Sequence, residues 1–112
     1  MMSVEAIAQG QLDAYNAQDL DAYCGYFTDD VVVADLNGAV SLQGLAAYRE
    51  RYEGAFAKFP KNRADLLGRM VVGQTVIDHE RVDRGNGVDP VFEVAAIYTF
   101  RDGKIARVDF VK

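Results

Sequence analysis

The spacing of hydrophobic positions changes partway along the chain. Up to Phe59 they recur every three or four residues; from Arg63 onward they alternate. Val4, Ile7, Ala8, Leu12 and Tyr15 lie at helical spacing and predict a first helix over Ser3 to Ala17. Ser3 suits its N-cap and Glu5 its first turn. Gln11 falls inside the apolar stripe, which makes it a polar amide in an apolar setting. Asp19 can cap a short second helix, in which Leu20, Tyr23, Cys24 and Phe27 form an amphipathic stripe, and Thr28-Asp29-Asp30 breaks it. Val31 to Leu36 is β-branched and apolar on both faces, so it reads as a buried strand. Asn37-Gly38 is a two-residue hairpin signal, and Ala39 to Gln43 returns. The third helix runs from Leu45 to Phe59, with Leu45, Tyr48, Tyr52, Ala55, Phe56 and Phe59 on one side and Pro60 as its stop.

The alternating half predicts strands over about Arg63 to Val72, Thr75 to Val82, Val91 to Arg101 and Ile105 to Val111. The last turn, Arg101-Asp102-Gly103-Lys104, can be a tight two-residue hairpin or a type I turn with a Gly103 bulge. The bulged form pairs Ala96 with Val108 and Val94 with Phe110. It gathers Val94, Ala96, Tyr98, Phe100, Ala106, Val108 and Phe110 on one face, so it is the expected register. Helices segregated from an antiparallel meander define an α+β fold, expected to be one domain over residues 1–112.

Composition narrows the function classes. Half of the 112 residues are hydrophobic and 26% are charged, an ordinary globular balance. Seventeen acids against twelve bases give a net charge of −5, which disfavours a nucleic-acid partner. The single cysteine, Cys24, rules out an intrachain disulfide and fits a reducing cytoplasm. No apolar run approaches the ~18 residues of a membrane span, and the start lacks the pattern of a signal peptide. No metal is expected, because no Cys or His cluster has ligand spacing. No glycine-rich phosphate loop precedes a helix.

Three stretches carry a resemblance: Tyr15-Asn16-Ala17-Gln18-Asp19-Leu20-Asp21, Phe27-Thr28-Asp29-Asp30-Val31-Val32-Val33 and Asp102-Gly103-Lys104-Ile105. In order and spacing they resemble the nuclear transport factor 2-like superfamily, in its SnoaL-like and ketosteroid-isomerase-like branch. The resemblance implies a cone-shaped α+β barrel, with three N-terminal helices packed on a strongly curved, mostly antiparallel sheet around a pocket. It sets Asp35 where a steroid isomerase holds its base. Tyr52 matches a tyrosine that supports the oxyanion network. Gln11 and Ala96 stand at the two principal oxyanion-donor positions, so a 5-ene-3-ketosteroid is expected to be a poor substrate.

Each candidate residue also has a plain structural reading. Asp35 shares the strand parity of Val31 and Val33, where partial desolvation suits a base; it also reads as a strand-end aspartate bonded to the Asn37-Gly38 turn. His79 is the only histidine. Asp78 and Glu80 share one face, which leaves His79 and Ile77 on the less charged face, expected to line the pocket. Alternatively it is a structural histidine packed by its neighbours, or one that pairs with Asp78 or Glu80 at the surface. Gln11, Tyr15 and Tyr52 sit on core-facing stripes and are expected substrate contacts; Tyr15 also reads as a core aromatic.

The leading expectation is therefore a pocket for a small apolar or carbonyl-bearing molecule, with Asp35 and His79 catalytic and no cofactor. The implied chemistry is proton abstraction next to a carbonyl, as in isomerisation or aldol-type ring closure. The alternatives are a non-catalytic binder or sensor, and a dimerisation module with a filled core. A homodimer is expected through the outer face of the long strands, which carries Glu93, Ala95, Ile97, Thr99, Ile105, Arg107, Asp109 and Val111.

Overall fold

Three helices and six strands follow one another in the computed structural model, which describes residues 2–112. The first helix, α1 (Val4–Ala17), begins where the Ser3 hydroxyl accepts the Ala6 N–H at 3.1 Å. It ends at Gln18, whose backbone turns left-handed (φ 54°) and whose amide donates to the Phe59 carbonyl at 2.7 Å. Helix α2 (Leu20–Cys24) is capped by Asp19 through the Ala22 N–H. Then come β1 (Phe27–Asp35), β2 (Val40–Gln43), α3 (Leu45–Lys58), β3 (Arg63–Val72), β4 (Thr75–Asp83), β5 (Phe92–Arg101) and β6 (Lys104–Val111).

All six strands form one open sheet in the order β2-β1-β6-β5-β4-β3. Every pairing is antiparallel except β1 with β6. Register breaks at Val33/Ala34, Leu66/Gly68 and Thr99/Phe100 insert bulges, and bulges bend strands and increase twist. The curved sheet with helices on its inner face is the cone-shaped α+β arrangement, left open at its β2 and β3 edges.

Three local expectations are corrected. Phe27 does not end α2; it opens β1, because its backbone pairs in parallel with Ile105 of β6. The segment expected to break structure is therefore strand, with Asp29 and Asp30 both exposed and Asp30 bound to Arg101. The Asn37-Gly38 pair does not make a two-residue hairpin. The turn spans Asp35 to Gly38, closed by the Gly38 N–H on the Asp35 carbonyl at 2.9 Å, with Asn37 alone at positive φ. Leu36 leaves the hairpin to bond the Phe110 carbonyl of β6.

The β5/β6 connection is the tight hairpin, with Arg101 opposite Lys104 and both Asp102 and Gly103 at positive φ. The bulge lies one step further on, opposite Thr99/Phe100, and sets Ala96 against Phe110 and Tyr98 against Val108. Val94, Ala96, Tyr98, Phe100 and Val108 are buried as expected, but Ile105 takes the inner place assigned to Ala106. The core runs from α1 and α3 onto this face, through Ile7, Ala8, Tyr23, Phe27, Tyr48 and Ile105. A smaller apolar group, Leu12, Ala64, Val82 and Val94, lies toward the β3 side. No helix is long and apolar enough to cross a membrane.

Candidate functional site

Between the helices and the inner face of the sheet lies a cavity of about 460 Å³. Its walls draw Gln11 and Tyr15 from α1, Tyr52 from α3, Glu80 from β4, Tyr98 from β5 and Phe110 from β6. The aromatic wall is cross-braced. The Tyr23 and Tyr48 hydroxyls bond at 2.7 Å, and Tyr52 stacks on Tyr48 with centroids 4.7 Å apart. Tyr15 meets Tyr52 edge-on, and its hydroxyl accepts a hydrogen bond from the Asn62 amide at 2.7 Å.

Strand alternation on β4 sets Val76, Asp78, Glu80 and Val82 inward. The two carboxylates meet different surroundings. Asp78 is fully buried and bound by both arms of the Arg69 guanidinium, at 2.7 and 2.9 Å. Arg69 also donates to the Gln9 side-chain carbonyl at 3.0 Å. Glu80 is 7% exposed, and its Oε2 has no hydrogen-bond partner. Burial pushes the Glu80 carboxyl up to about 7; the Asp78 charge adds to the rise and Arg69 opposes it. A carboxyl poised there exchanges its proton near neutral pH.

Tyr98 supplies the complementary group. Its hydroxyl oxygen accepts the Gln11 amide at 3.0 Å, which leaves the phenolic hydrogen for another acceptor. Burial, with Glu80 and Asp78 behind it, raises the Tyr98 phenol well above its ordinary value, so it remains a donor. The cavity lining thus combines a carboxyl poised near neutrality with a neutral hydroxyl donor.

Of the residues singled out from sequence, Gln11, Tyr15, Tyr52 and Asp35 line this cavity. Asp35 is exposed, however, because β1 ends there and the chain turns away at the rim. His79 is a correction: it lies on the outer face, 52% exposed, with Nε2 2.5 Å from Glu93. The inward parity belongs to Val76 and Val82, which bracket the two acids and carry them inside. A site shared by Asp35 and His79 is therefore excluded. Ala96 is a second correction: it is fully buried in the ladder between Asp78 and Phe110 and does not line the cavity.

Sequence reasoning missed Glu80 and Tyr98 as site residues. The signal for Glu80 was present in Val76 and Val82, whose parity outweighs the charge of the residues between them.

A model of the SnoaL-like domain family matches residues 8–108. No curated protein matches the chain. Among solved structures, an uncharacterised cystatin-fold protein from Novosphingobium aromaticivorans is 37% identical with a TM-score of 0.92, covering 100% of both chains. A proposed polyketide cyclase from Sinorhizobium meliloti is 26% identical with a TM-score of 0.81, over 98% of this chain and 100% of the other. A proposed ketosteroid isomerase from Kribbella flavida shares the fold at 16% identity and a TM-score of 0.80, over 96% and 75%.

Proposed function

The chain belongs to the SnoaL-like domain family, and on that premise we propose that it acts on a small carbonyl compound, with Glu80 as the base. The observation that carries this reading is the buried Glu80 carboxyl, which belongs to the cavity lining, leaves its Oε2 without a hydrogen-bond partner and is pushed up to about 7. In the step proposed, a Glu80 oxygen takes a proton from the carbon next to the carbonyl. The C–H electrons become the C=C bond of an enolate, and the carbonyl electrons collect on its oxygen. The Tyr98 hydroxyl, oriented by Gln11, donates to that oxygen. Where the enolate is conjugated with a further C=C, protonation at the far carbon of the dienolate is isomerisation; attack of the enolate carbon on a second carbonyl is aldol-type closure. Asp35 at the rim is a polar contact in this scheme and not the base.

Names carried by the structural relatives, polyketide cyclase and ketosteroid isomerase, fall within this chemistry. The volume, about 460 Å³, lies in the range of small-molecule pockets. It also argues against a filled association module.

The test is exchange of α-hydrogens for deuterium in aryl ketones and β-keto esters, with the Glu80 carboxyl followed by carbon NMR. Wild type should catalyse exchange with an apparent pKa near 7. Glu80→Gln should lose about 10²–10⁴-fold. Exchange that survives in Glu80→Gln, or an ordinary Glu80 titration near 4.5, rejects the base assignment.

We also propose that two copies meet through the outer sheet face. Met70, Ile77 and Ile97 run side by side across β3, β4 and β5 there, Met70 exposed and the two isoleucines half-buried. Arg107 and Asp109 pair beside them on β6. An apolar centre with charged flanks suits a twofold interface. Ile105 drops out of this patch, since the β6 bulge turns it into the core.

A further inference from the structure

The cations of this acidic chain are unevenly paired. Five of its eight arginines, Arg49, Arg63, Arg69, Arg101 and Arg107, hold carboxylates. Among the described residues, two of the other three, Arg51 and Arg84, line the cavity, and so does Lys112. Neither arginine is loose. Arg84 donates to the side-chain oxygen Oδ1 of Asn62 at 3.0 Å and lies over the rings of Phe59 and Phe92, at 4.6 and 5.2 Å. Arg51 donates to the Ser41 carbonyl at 3.1 Å and reaches its hydroxyl at 3.4 Å. Lys112 rests over Phe110. All these partners are neutral, so each guanidinium is oriented while its charge and most of its five N–H donors stay free.

The other charged groups of the lining are Asp35 at the rim and Glu80 within. The cavity wall is thus cationic by excess in a chain whose net charge is −5. Three separate elements deliver the cations: α3 (Arg51), the loop after β4 (Arg84) and the end of the chain after β6 (Lys112). Arg51 and Lys112 are exposed, so those two positions could hold neutral residues without cost to the core.

We infer that the natural ligand carries a carboxylate beside its apolar body, and that Arg51, Arg84 and Lys112 bind this group while the body lies against Tyr15, Tyr52 and Phe110. A planar guanidinium matches a carboxylate with two parallel hydrogen bonds, and the apolar surroundings strengthen them. The anion also keeps the ligand in one direction, with the acid at the cations and the reacting carbonyl toward Glu80 and Tyr98. This orientation rests on the base assignment given above; the anion preference does not.

The experiment separates the two. The probes are 3-(2-naphthyl)propanoic acid and its carboxamide, which differ in charge and little in shape. Each is titrated calorimetrically into the wild-type chain and into Arg51→Gln, Lys112→Gln, Arg84→Gln and Glu80→Gln. The acid should bind wild type about tenfold more tightly than the amide, as expected for charge-assisted over neutral hydrogen bonds. Arg51→Gln and Lys112→Gln should each erode that preference and leave amide binding unchanged. Arg84 packs between two rings, so its variant is read only if its circular dichroism matches wild type. The preference should persist in Glu80→Gln, whatever that variant does to catalysis. Equal affinity for acid and amide overturns the inference. So does a failure of the acid to bind at low millimolar concentration, or a preference that survives in Arg51→Gln and Lys112→Gln together. A preference lost in Glu80→Gln overturns it as well, since the acid would then be sitting against Glu80 and not at the cations.

Discussion

Both faces of β4 carry ionisable side chains, acidic inside and basic outside, and put them to opposite use. Inward lie Asp78 and Glu80; outward lie His79 and Arg81. The outer pair of His79 with Glu93 stands in water, 52% and 59% exposed, where an ion pair contributes little. Inside, burial strips a charge of most of its solvation, so every charge needs a partner. Asp78 has Arg69, whereas Glu80, in the cavity lining, has a buried Oε2 without a partner. The contrast shows where function can be stored. A charge on the outer face can change at little cost, whereas an inner charge persists only if it is neutralised or if its ionisation is itself useful.

The largest expected effect breaks the inner pair. Arg69→Met leaves Asp78 buried without its cation, and should destabilise the fold by about 3–5 kcal/mol in urea melts. Replacing both partners together, Arg69→Met with Asp78→Asn, should recover most of that loss. If the single variant melts like wild type, Asp78 does not depend on its partner and the contrast between the faces fails.

Glu80→Gln should act in the other direction. The carboxyl of Glu80 is raised from an ordinary 4.5 to about 7, so the folded state holds its proton more tightly than the unfolded chain does. That contribution is fully present below 4.5 and is lost as pH rises through 7, so stability falls across this window. The shift corresponds to roughly 3 kcal/mol. Glu80→Gln should therefore be the more stable protein at pH 8 by up to that amount, and should show no such fall between pH 4.5 and 7. A fall of the same size in the variant would assign the pH dependence elsewhere.

These residues also mark how far the sequence could be read. Helix starts were legible at Ser3 and Asp19, because a cap is a local hydrogen bond between near neighbours. The extents of β3 and α3 were legible to within a residue, since Pro60 and the change of period bound them. What failed depends on distant partners. Phe27 fits a helix by spacing and joins β1 because β6 waits beside it. On β4 the less charged face looked like the inner one. The hidden fact was Arg69, on another strand, which makes a buried Asp78 tolerable and with it the inward parity of Glu80. Gln11, Tyr15 and Tyr52 were found because helical stripes report burial directly, while Tyr98 appeared only as one more aromatic on an apolar face.

The outer face offers a milder test. Ile97→Lys places a charge at the apolar centre of the proposed interface, opposite Ile77. Wild type should have the mass of two chains by light scattering at tens of micromolar, and the variant should fall toward one. The variant chain should keep its fold, with a stability change of about 0.5 kcal/mol or less from the substitution itself. A monomeric wild type would refute the dimer and leave the contrast between the two faces of β4 untouched.

The smallest effect is expected at the residue that the sequence marks most strongly. His79 is the only histidine, and a histidine in a small-molecule site would be the natural proton carrier. Its ring lies on the far side of the sheet from the cavity, and its one partner is the exposed Glu93. His79→Ala should therefore change stability by about 0.5 kcal/mol or less, the usual span for an exposed pair of this kind. It should leave α-hydrogen exchange, and the apparent pKa near 7, as in wild type, because that pKa belongs to Glu80. The pH profile is the deciding readout. A histidine that carried the proton would remove the step near pH 7 when replaced by alanine, whereas Glu80→Gln would leave that step in place. The reverse pattern, a step lost in Glu80→Gln and kept in His79→Ala, is what the burial of one side chain and the exposure of the other require.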